Sequence, residues 1–527
     1  MARQEPNLTQ VSALIRLLGS TPLDSDVERL HTTRENLRTT LYLSVRILRA
    51  LRTEAATYRR AYVPRDERMR IRADLAPIVR AAFGDNATLT GHRLRLGDLE
   101  ARLKHYASTS VPVIALARMV AECLDEEYAD HFWEQILRYY NLHESNKEHG
   151  PVSVPLTMSD PVPVCASIFG GTGPDRGTNP RNLPKWRSPE RIGHFVLAPP
   201  GVDQFQLRLN FELTKELGAL QSSGRRIAVI SPTEHLTDFK WDTDENQTRY
   251  WNVRRRSSRD DPKGPSDTAY QRQLRNGVDI AVANNTRMIV LPELSLTEDH
   301  TKKLIEYWKR KQPKPKDGAT KRQPSILVAG SRHGSGEPTH NTAAIVGKME
   351  SFDVLKAVPH VYRPPREPDD PHKIADSSRV VSELNEDEER FEIVESIEQY
   401  DTPEVTIFCG RHLTLGVVVC VDFLMDALRD LLRDLDVGMV VIPSMTDKTH
   451  VFHRLIDGHV AATQGVALLA NGIRSRDEQA RVLVGVPKPP YLLTECALEN
   501  PSPRSGPGVA IIDLDNPSAS DWVSIDT

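Results

Sequence analysis

Gly416-Val-Val-Val-Cys420 is an unbroken apolar run that ends in a thiol, and Val421 and Asp422 lead at once into a helix-like segment. A continuous Val run fits a strand covered on both faces, as in a layered α/β core. The thiol then falls where a buried strand turns into a helix. The first turn of a helix carries unpaired N–H groups and partial positive charge, which favour thiolate over thiol. One such Cys means little alone, because free cysteines are among the most buried residue types and most only pack.

The flanking sequence repeats the pattern. Arg226–Ser231, Met288–Pro292, Ile326–Ser331, Thr342–Gly347, Met439–Ser444, Gly465–Asn471 and Val509–Leu514 read as short apolar strands alternating with helices. A layered α/β domain is expected over residues 225–515. Two long polar insertions, about 236–268 and 364–400, are expected to be surface excursions.

Ligands of α/β proteins gather at the carboxyl ends of strands. Met288-Ile-Val-Leu-Pro292 delivers Glu293 there, and Ser295-Leu-Thr-Glu298 reads as a capping box opening a helix. A carboxylate beside an apolar strand has its charged form disfavoured, which suits a general base. The plainer reading is a Glu decorating a helix start. Lys356 comes just after the strand that follows Asn341 and could hold positive charge against an oxyanion. Taken alone it reads as an ordinary surface lysine.

At 527 residues the chain exceeds one ordinary domain, so two or three are expected. Apolar residues at 39%, charged residues at 27% and a mean hydropathy of -0.43 fit a soluble protein with a real core. A net charge of -4 gives no global pull toward nucleic acid or membrane. MARQEPNLTQ lacks the layout of a signal peptide, and no apolar run approaches the roughly 20 residues of a membrane span. Cys123, Cys165, Cys409, Cys420 and Cys496 are scattered without a CxxC, so neither a disulfide framework nor a zinc site is suggested. The histidines form no HxxxH or HExxH pair, and no metal or other cofactor is implied. The expectation is a reduced, cytoplasmic protein.

Residues 1–145 read as successive helices. Leu30, Leu37, Leu41, Leu48 and Leu51 mark the first, Pro64 stops it, and amphipathic stretches follow over about 66–83, 96–107 and 112–140. This helical domain packs on the rest of the chain or on a second subunit in the plainer reading, and recognises a partner in the sharper one. Residues 146–224 form a Pro/Gly-rich linker and lead-in, in which Gly170-Gly171-Thr-Gly173 lacks the strand and Lys of a phosphate loop and reads as a turn. Residues 516–527 are a tail.

Together the ordered motifs resemble the carbon–nitrogen hydrolase, or nitrilase, superfamily, amidase-like branch. Leu291-Pro292-Glu293-Leu294 is similar to its Glu motif, Asn341-Thr342-Ala343 with Gly347 and Lys356 to its lysine motif, and Leu415–Asp422 to its nucleophile motif. Ile442-Pro443-Ser444 and Leu468-Leu469-Ala470-Asn471 match the two strand ends that follow the Cys. The resemblance implies a four-layer α-β-β-α sandwich, a homo-oligomer (a homodimer through the sandwich) and a Glu-Lys-Cys triad acting on a small amide or nitrile. In it Cys420 attacks, Lys356 and the N–H of Val421 hold the oxyanion, and Glu293 moves protons through a thioester intermediate. Asp422 and Asn471 support the site.

Some features depart from the family. Members often carry a second Glu after the lysine motif, and Glu367, in a Pro-rich segment, is the nearest candidate. Val421 replaces the usual aromatic, Gln464 stands where a Glu is frequent, and the Lys-to-Cys stretch is long (420 − 356 = 64 residues). These changes motivate the alternative of a binding or assembly module with little or no hydrolysis. Similar domains occur in bacterial defence systems fused to reverse transcriptases, although Tyr128-Ala-Asp130-His131 lacks the paired aspartates of a polymerase. Trp241–Arg259 interleaves aromatics with arginines, which can stack on single-stranded nucleic acid. A solvated loop is the preferred reading of that segment.

Overall fold

The computed structural model describes residues 11–16, 47, 63–83, 89–109, 111–127, 153–155, 161–163, 195–199, 202–221, 225–232, 239–244, 247–255, 267–312, 325–333, 340–348, 351–356, 361–362, 393–395, 402–410, 413–446, 449–463, 465–473, 481–487, 496–499, 506–517 and 520–525. The chain divides into two units, one of residues 1–150 and 156–202 and one of residues 151–155 and 203–527.

The first unit contains helices α1 (Arg65–Phe83), α2 (Leu89–Ser108) and α3 (Val113–Glu127), in mutual contact. Each places an apolar stripe inside: Ile71 and Leu75, Leu99 and Leu103, Leu116 and Val120. Between the stripes Glu122 accepts from Arg118 Nε at 3.0 Å, with Arg72 Nε at 3.5 Å. Among its described residues the same unit also holds an antiparallel strand pair, β2 (Pro161–Pro163) with β3 (Phe195–Leu197). The leucine-spaced helix predicted before Pro64 lies almost entirely outside the described residues.

In the second unit a mixed α/β sandwich carries two large sheets. The larger has eight strands in the order β1 (Ser153–Pro155), β4 (Gln206–Asn210), β14 (Glu404–Cys409), β15 (Thr414–Val417), β16 (Met439–Ser444), β17 (Val466–Asn471), β18 (Val482–Pro487), β19 (Cys496–Glu499). Strands β15, β16 and β17 run parallel, and every residue of β16 and β17 is buried. The other sheet has seven strands in the order β11 (Ser351–Leu355), β10 (Asn341–Val346), β9 (Ile326–His333), β8 (Met288–Val290), β5 (Arg226–Ser231), β20 (Gly508–Asp513), β21 (Asp521–Ser524). Its centre, β5-β8-β9, is parallel.

Helices cover these sheets. From α5 (Asp267–Ala283) and α6 (Glu298–Lys311), Tyr270, Leu274, Leu304 and Trp308 join one apolar cluster with Ile230, Ile289 and Leu327 of the seven-stranded sheet. Against the eight-stranded sheet α8 (Thr449–Thr463) touches β17 and β18, while β17 touches β5 of the other sheet. Among the described residues no helix is long and apolar enough to cross a membrane.

Three sequence expectations change. The sandwich extends past 225–515: β4 and α4 (Thr214–Gln221) come from the lead-in segment, and β21 comes from the tail. β21 is a short edge strand with no buried residue, and β4 alternates apolar with polar residues, so neither stands out as an apolar run. The two polar insertions are more than excursions, because they contribute to one four-stranded sheet ordered β12 (Val361–Tyr362), β13 (Ile393–Glu395), β7 (Gln247–Arg255), β6 (Phe239–Asp244). In it β13 of the second insertion pairs in parallel with β7 of the first, a pairing that local periodicity could not reveal. Finally, β15 stops at Val417 and not at the thiol.

Candidate active site

Glu293 leaves β8 on a tight, clamped turn. Leu294 has φ +56°, and its N–H donates to Ser331 O at 2.7 Å. The Ser295 hydroxyl donates to Pro292 O at 2.8 Å, and Tyr270 OH donates to Ser295 O. Gly330 (φ +69°) makes room beneath this turn, since a Cβ there would fall 2.1 Å from the Pro292 carbonyl oxygen. The expected capping box is shifted: Thr297 caps α6, accepting from His300 N, while Ser295 is spent on the turn.

Lys356 is brought in by a hairpin. A second strand, β11, follows β10 before the lysine, and Lys356 N donates to Asn341 O at 2.8 Å, one rung beyond the Thr342–Leu355 pair. The Lys356 and Glu293 side chains are only 2% and 4% exposed, and Nζ lies 2.8 Å from Oε1. Asn341 Nδ2 donates to the same oxygen at 3.0 Å, and Met445 N donates to Oε2 at 3.0 Å. Three donors therefore meet this carboxylate, a polar setting and not the apolar one read from the strand beside it.

Cys420 has φ +48°, unusual for a side-chain-bearing residue, and is 8% exposed. Such strained positions concentrate where geometry matters more than stability. A 3-10 turn, Cys420–Leu424, follows, and α7 (Asp426–Asp434) begins only after it. The expected α-helical start at the sulfur is therefore absent. Burial, and next the Glu293 charge, push the Cys420 thiol far above its ordinary range, against the pull of Lys356, Ser444 and the Met445 N–H. The resting sulfur is a thiol, contrary to the thiolate expected from a helix N-terminus. Ser444 Oγ donates to it at 3.2 Å.

The remaining residues frame this cluster. Val421 is half-buried in the 3-10 turn, and Asp422 is buried there with its N–H on Val419 O. Asn471 Oδ1 accepts from Thr446 N at 2.8 Å, while its Nδ2 donates to Thr446 O at 2.7 Å and Ile473 O at 2.8 Å. It locks the loop that carries Ser444 and Met445. Glu367 and Gln464 lie outside the described residues. Cys409 is buried in β14, with its Sγ 3.6 Å from Ile407 O. Among the described residues no group of His, Cys, Asp and Glu could hold a metal ion. Asn341, Ser444 and Met445 were not singled out by sequence; Asn341 opened one quoted motif and Ser444 closed another, but nothing in a backbone N–H such as that of Met445 is visible in residue type.

Neither a protein-family profile nor a curated protein matches this chain. Among solved structures it is similar to nitrilase-superfamily amidases. A mutant of the amidase from Nesterenkonia sp. AN1, with acrylamide added at its active-site cysteine, shares 13% identity at a TM-score of 0.33, over 55% of this chain and 92% of that one. A second mutant of that amidase, described as a member of the nitrilase superfamily, shares 14% at 0.33, over 56% and 91%. The glutamine-dependent NAD+ synthetase from Acinetobacter baumannii shares 12% at 0.32, over 57% of this chain and 47% of its own. At such identities and scores the likeness by itself assigns no activity.

Proposed function

We propose that this chain is a thiol hydrolase of non-peptide C–N bonds, amidase-like, on a four-layer α-β-β-α sandwich, with a small amide as substrate. The observation that supports this reading is the buried Lys356–Glu293 pair at 2.8 Å, beside a sulfur whose ionisation both charges influence.

In the first half-reaction Glu293 takes the Cys420 proton as sulfur bonds to the amide carbon, and the carbonyl electron pair moves to oxygen. Lys356 and the Val421 N–H hold that oxyanion. The proton passes from Glu293 to the departing nitrogen, and the amine leaves behind a thioester. Glu293 then deprotonates water, which attacks the thioester, and the acid leaves as the thiol reforms. The high resting thiol suits this order, because sulfur ionises only as the nearby carboxylate accepts its proton. Pre-positioning of three groups in one buried cluster replaces part of the entropy cost of assembling them.

Ammonia release from a panel of small primary amides tests the reading. Activity in the wild type that disappears in Cys420→Ala is expected; release that survives Cys420→Ala defeats the nucleophile. One feature favours the second reading, a binding or assembly module: Cys420 is only 8% exposed. That module would leave the whole amide panel untouched.

A further inference from the structure

We infer that Ser444 is a further catalytic group of this site, its hydroxyl donating to the Cys420 sulfur and stabilising the negative charge that forms there as the proton leaves for Glu293. The inference rests on Cys420 being the nucleophile.

The geometry is specific. Ser444 closes β16, is wholly inaccessible to solvent, and donates to Sγ at 3.2 Å. Its backbone is fixed independently of the sulfur, because Ser444 O accepts from Gly472 N at 2.9 Å and Ser444 pairs with Asn471 across the sheet. The next residue donates its N–H to Glu293 Oε2, and the one after is held on both backbone atoms by Asn471. Three consecutive residues thus touch the sulfur, touch the base and anchor the loop. The distance between donor and sulfur is set by the fold and not by the hydrogen bond itself.

The chemistry needs a donor at this point. When Sγ–H gives its proton to Glu293, the carboxylate becomes neutral and one negative charge moves onto sulfur in a buried place. A hydrogen bond to an ionised acceptor is roughly twice as strong as one to a neutral partner. The Ser444 hydroxyl therefore gains strength as charge builds on sulfur, and weakens again once sulfur is bonded to the acyl carbon. That is differential stabilisation of the reacting state, which accelerates the step, whereas equal binding throughout would not. The same donor serves the second half-reaction, when the C–S bond breaks and its electron pair returns to sulfur.

Iodoacetamide labelling of Cys420 from neutral to alkaline pH, read by peptide mass mapping with Cys409 as the internal reference, tests the inference. Ser444→Ala is expected to slow Cys420 labelling at neutral pH about tenfold and to move the profile about one unit alkaline. Ser444→Thr, which keeps the hydroxyl, is expected to restore most of the wild-type profile. A Ser444→Ala profile superimposed on the wild type overturns the inference, since a hydroxyl that merely packs would alter stability alone. If the Ala variant unfolds, shown by Cys409 labelling as fast as Cys420, the near-isosteric Ser444→Cys replaces it. A smaller alkaline shift at Cys420 is then expected, and an unshifted profile overturns the inference equally. The amide assay separates the two failures. Ammonia release lost in Cys420→Ala, with an unshifted Ser444→Ala profile, sinks only the role of Ser444; release that persists sinks the nucleophile itself.

Discussion

Lys356 Nζ stands 2.8 Å from Glu293 Oε1, and the two residues arrive from opposite ends of a four-strand run, one after β8 and the other after β11. The pair joins the centre of the seven-stranded sheet to its edge. Removing one partner of a buried pair leaves an uncompensated charge, at a cost of roughly 3–5 kcal/mol. Here Asn341 and Met445 still donate to Glu293, so Lys356→Met is expected at the lower end, about 3 kcal/mol, by urea denaturation. Lys356→Met combined with Glu293→Gln is expected to be less destabilised than the sum of the single variants. Strict additivity would mean that the two charges are not coupled.

Gly330 is expected to tolerate no side chain. Its φ of +69° disfavours L-residues, and a Cβ would meet the Pro292 carbonyl oxygen at 2.1 Å. Gly330→Ala must displace the turn that carries Glu293, so it should cost more than about 1 kcal/mol and lower activity without touching substrate. A variant with wild-type melting temperature and turnover would contradict this.

Asn471 holds Thr446 and Ile473 through three hydrogen bonds of 2.7–2.8 Å. Asn471→Ala leaves the Thr446 N–H and two carbonyls without that partner, for a loss of about 2–3 kcal/mol. The loop carrying Ser444 and Met445 is then free to shift, so amide turnover should fall further than binding of the amide. Unchanged kcat in a folded variant would remove Asn471 from the site.

His459 sets an acid limit. Burial, then the charges of Arg433 and Arg429, hold its imidazole down to about 4. The unfolded chain takes up this proton below about pH 6.5, whereas the folded chain does so only near about pH 4. Its contribution to stability is therefore complete above the unfolded value and is lost as pH falls through that window, at up to about 1.4 kcal/mol per pH unit. The His459 ring meets Phe423 of the turn that follows Cys420, at 6.1 Å between centroids, so acid loosening should reach the thiol. Urea midpoints in His459→Asn are expected to fall less steeply over this range; a slope equal to wild type would exclude the histidine.

The buried strands were legible because each is a solid Val/Ile/Leu run: β16 matches its expected span, Met439–Ser444, residue for residue. Glu293 and Cys420 stood out because each follows such a run, whereas Lys356 follows the mixed, largely uncovered β11 and was marked only by the motif resemblance. The small sheet was not, since β7 and β13 lie over a hundred residues apart and their pairing is a tertiary event. The thiol was misjudged for a different reason. Strand-then-helix patterning suggested a helix dipole at sulfur, but the backbone turns through φ +48° into a 3-10 turn, and burial outweighs the nearby cation.

The most direct test is the intact mass of wild-type protein quenched during reaction with a small activated acyl ester. One added acyl group, mapped to Cys420 and absent in Cys420→Ala, is the predicted result. An adduct on another residue, or no adduct while the ester is still turned over, would contradict the account.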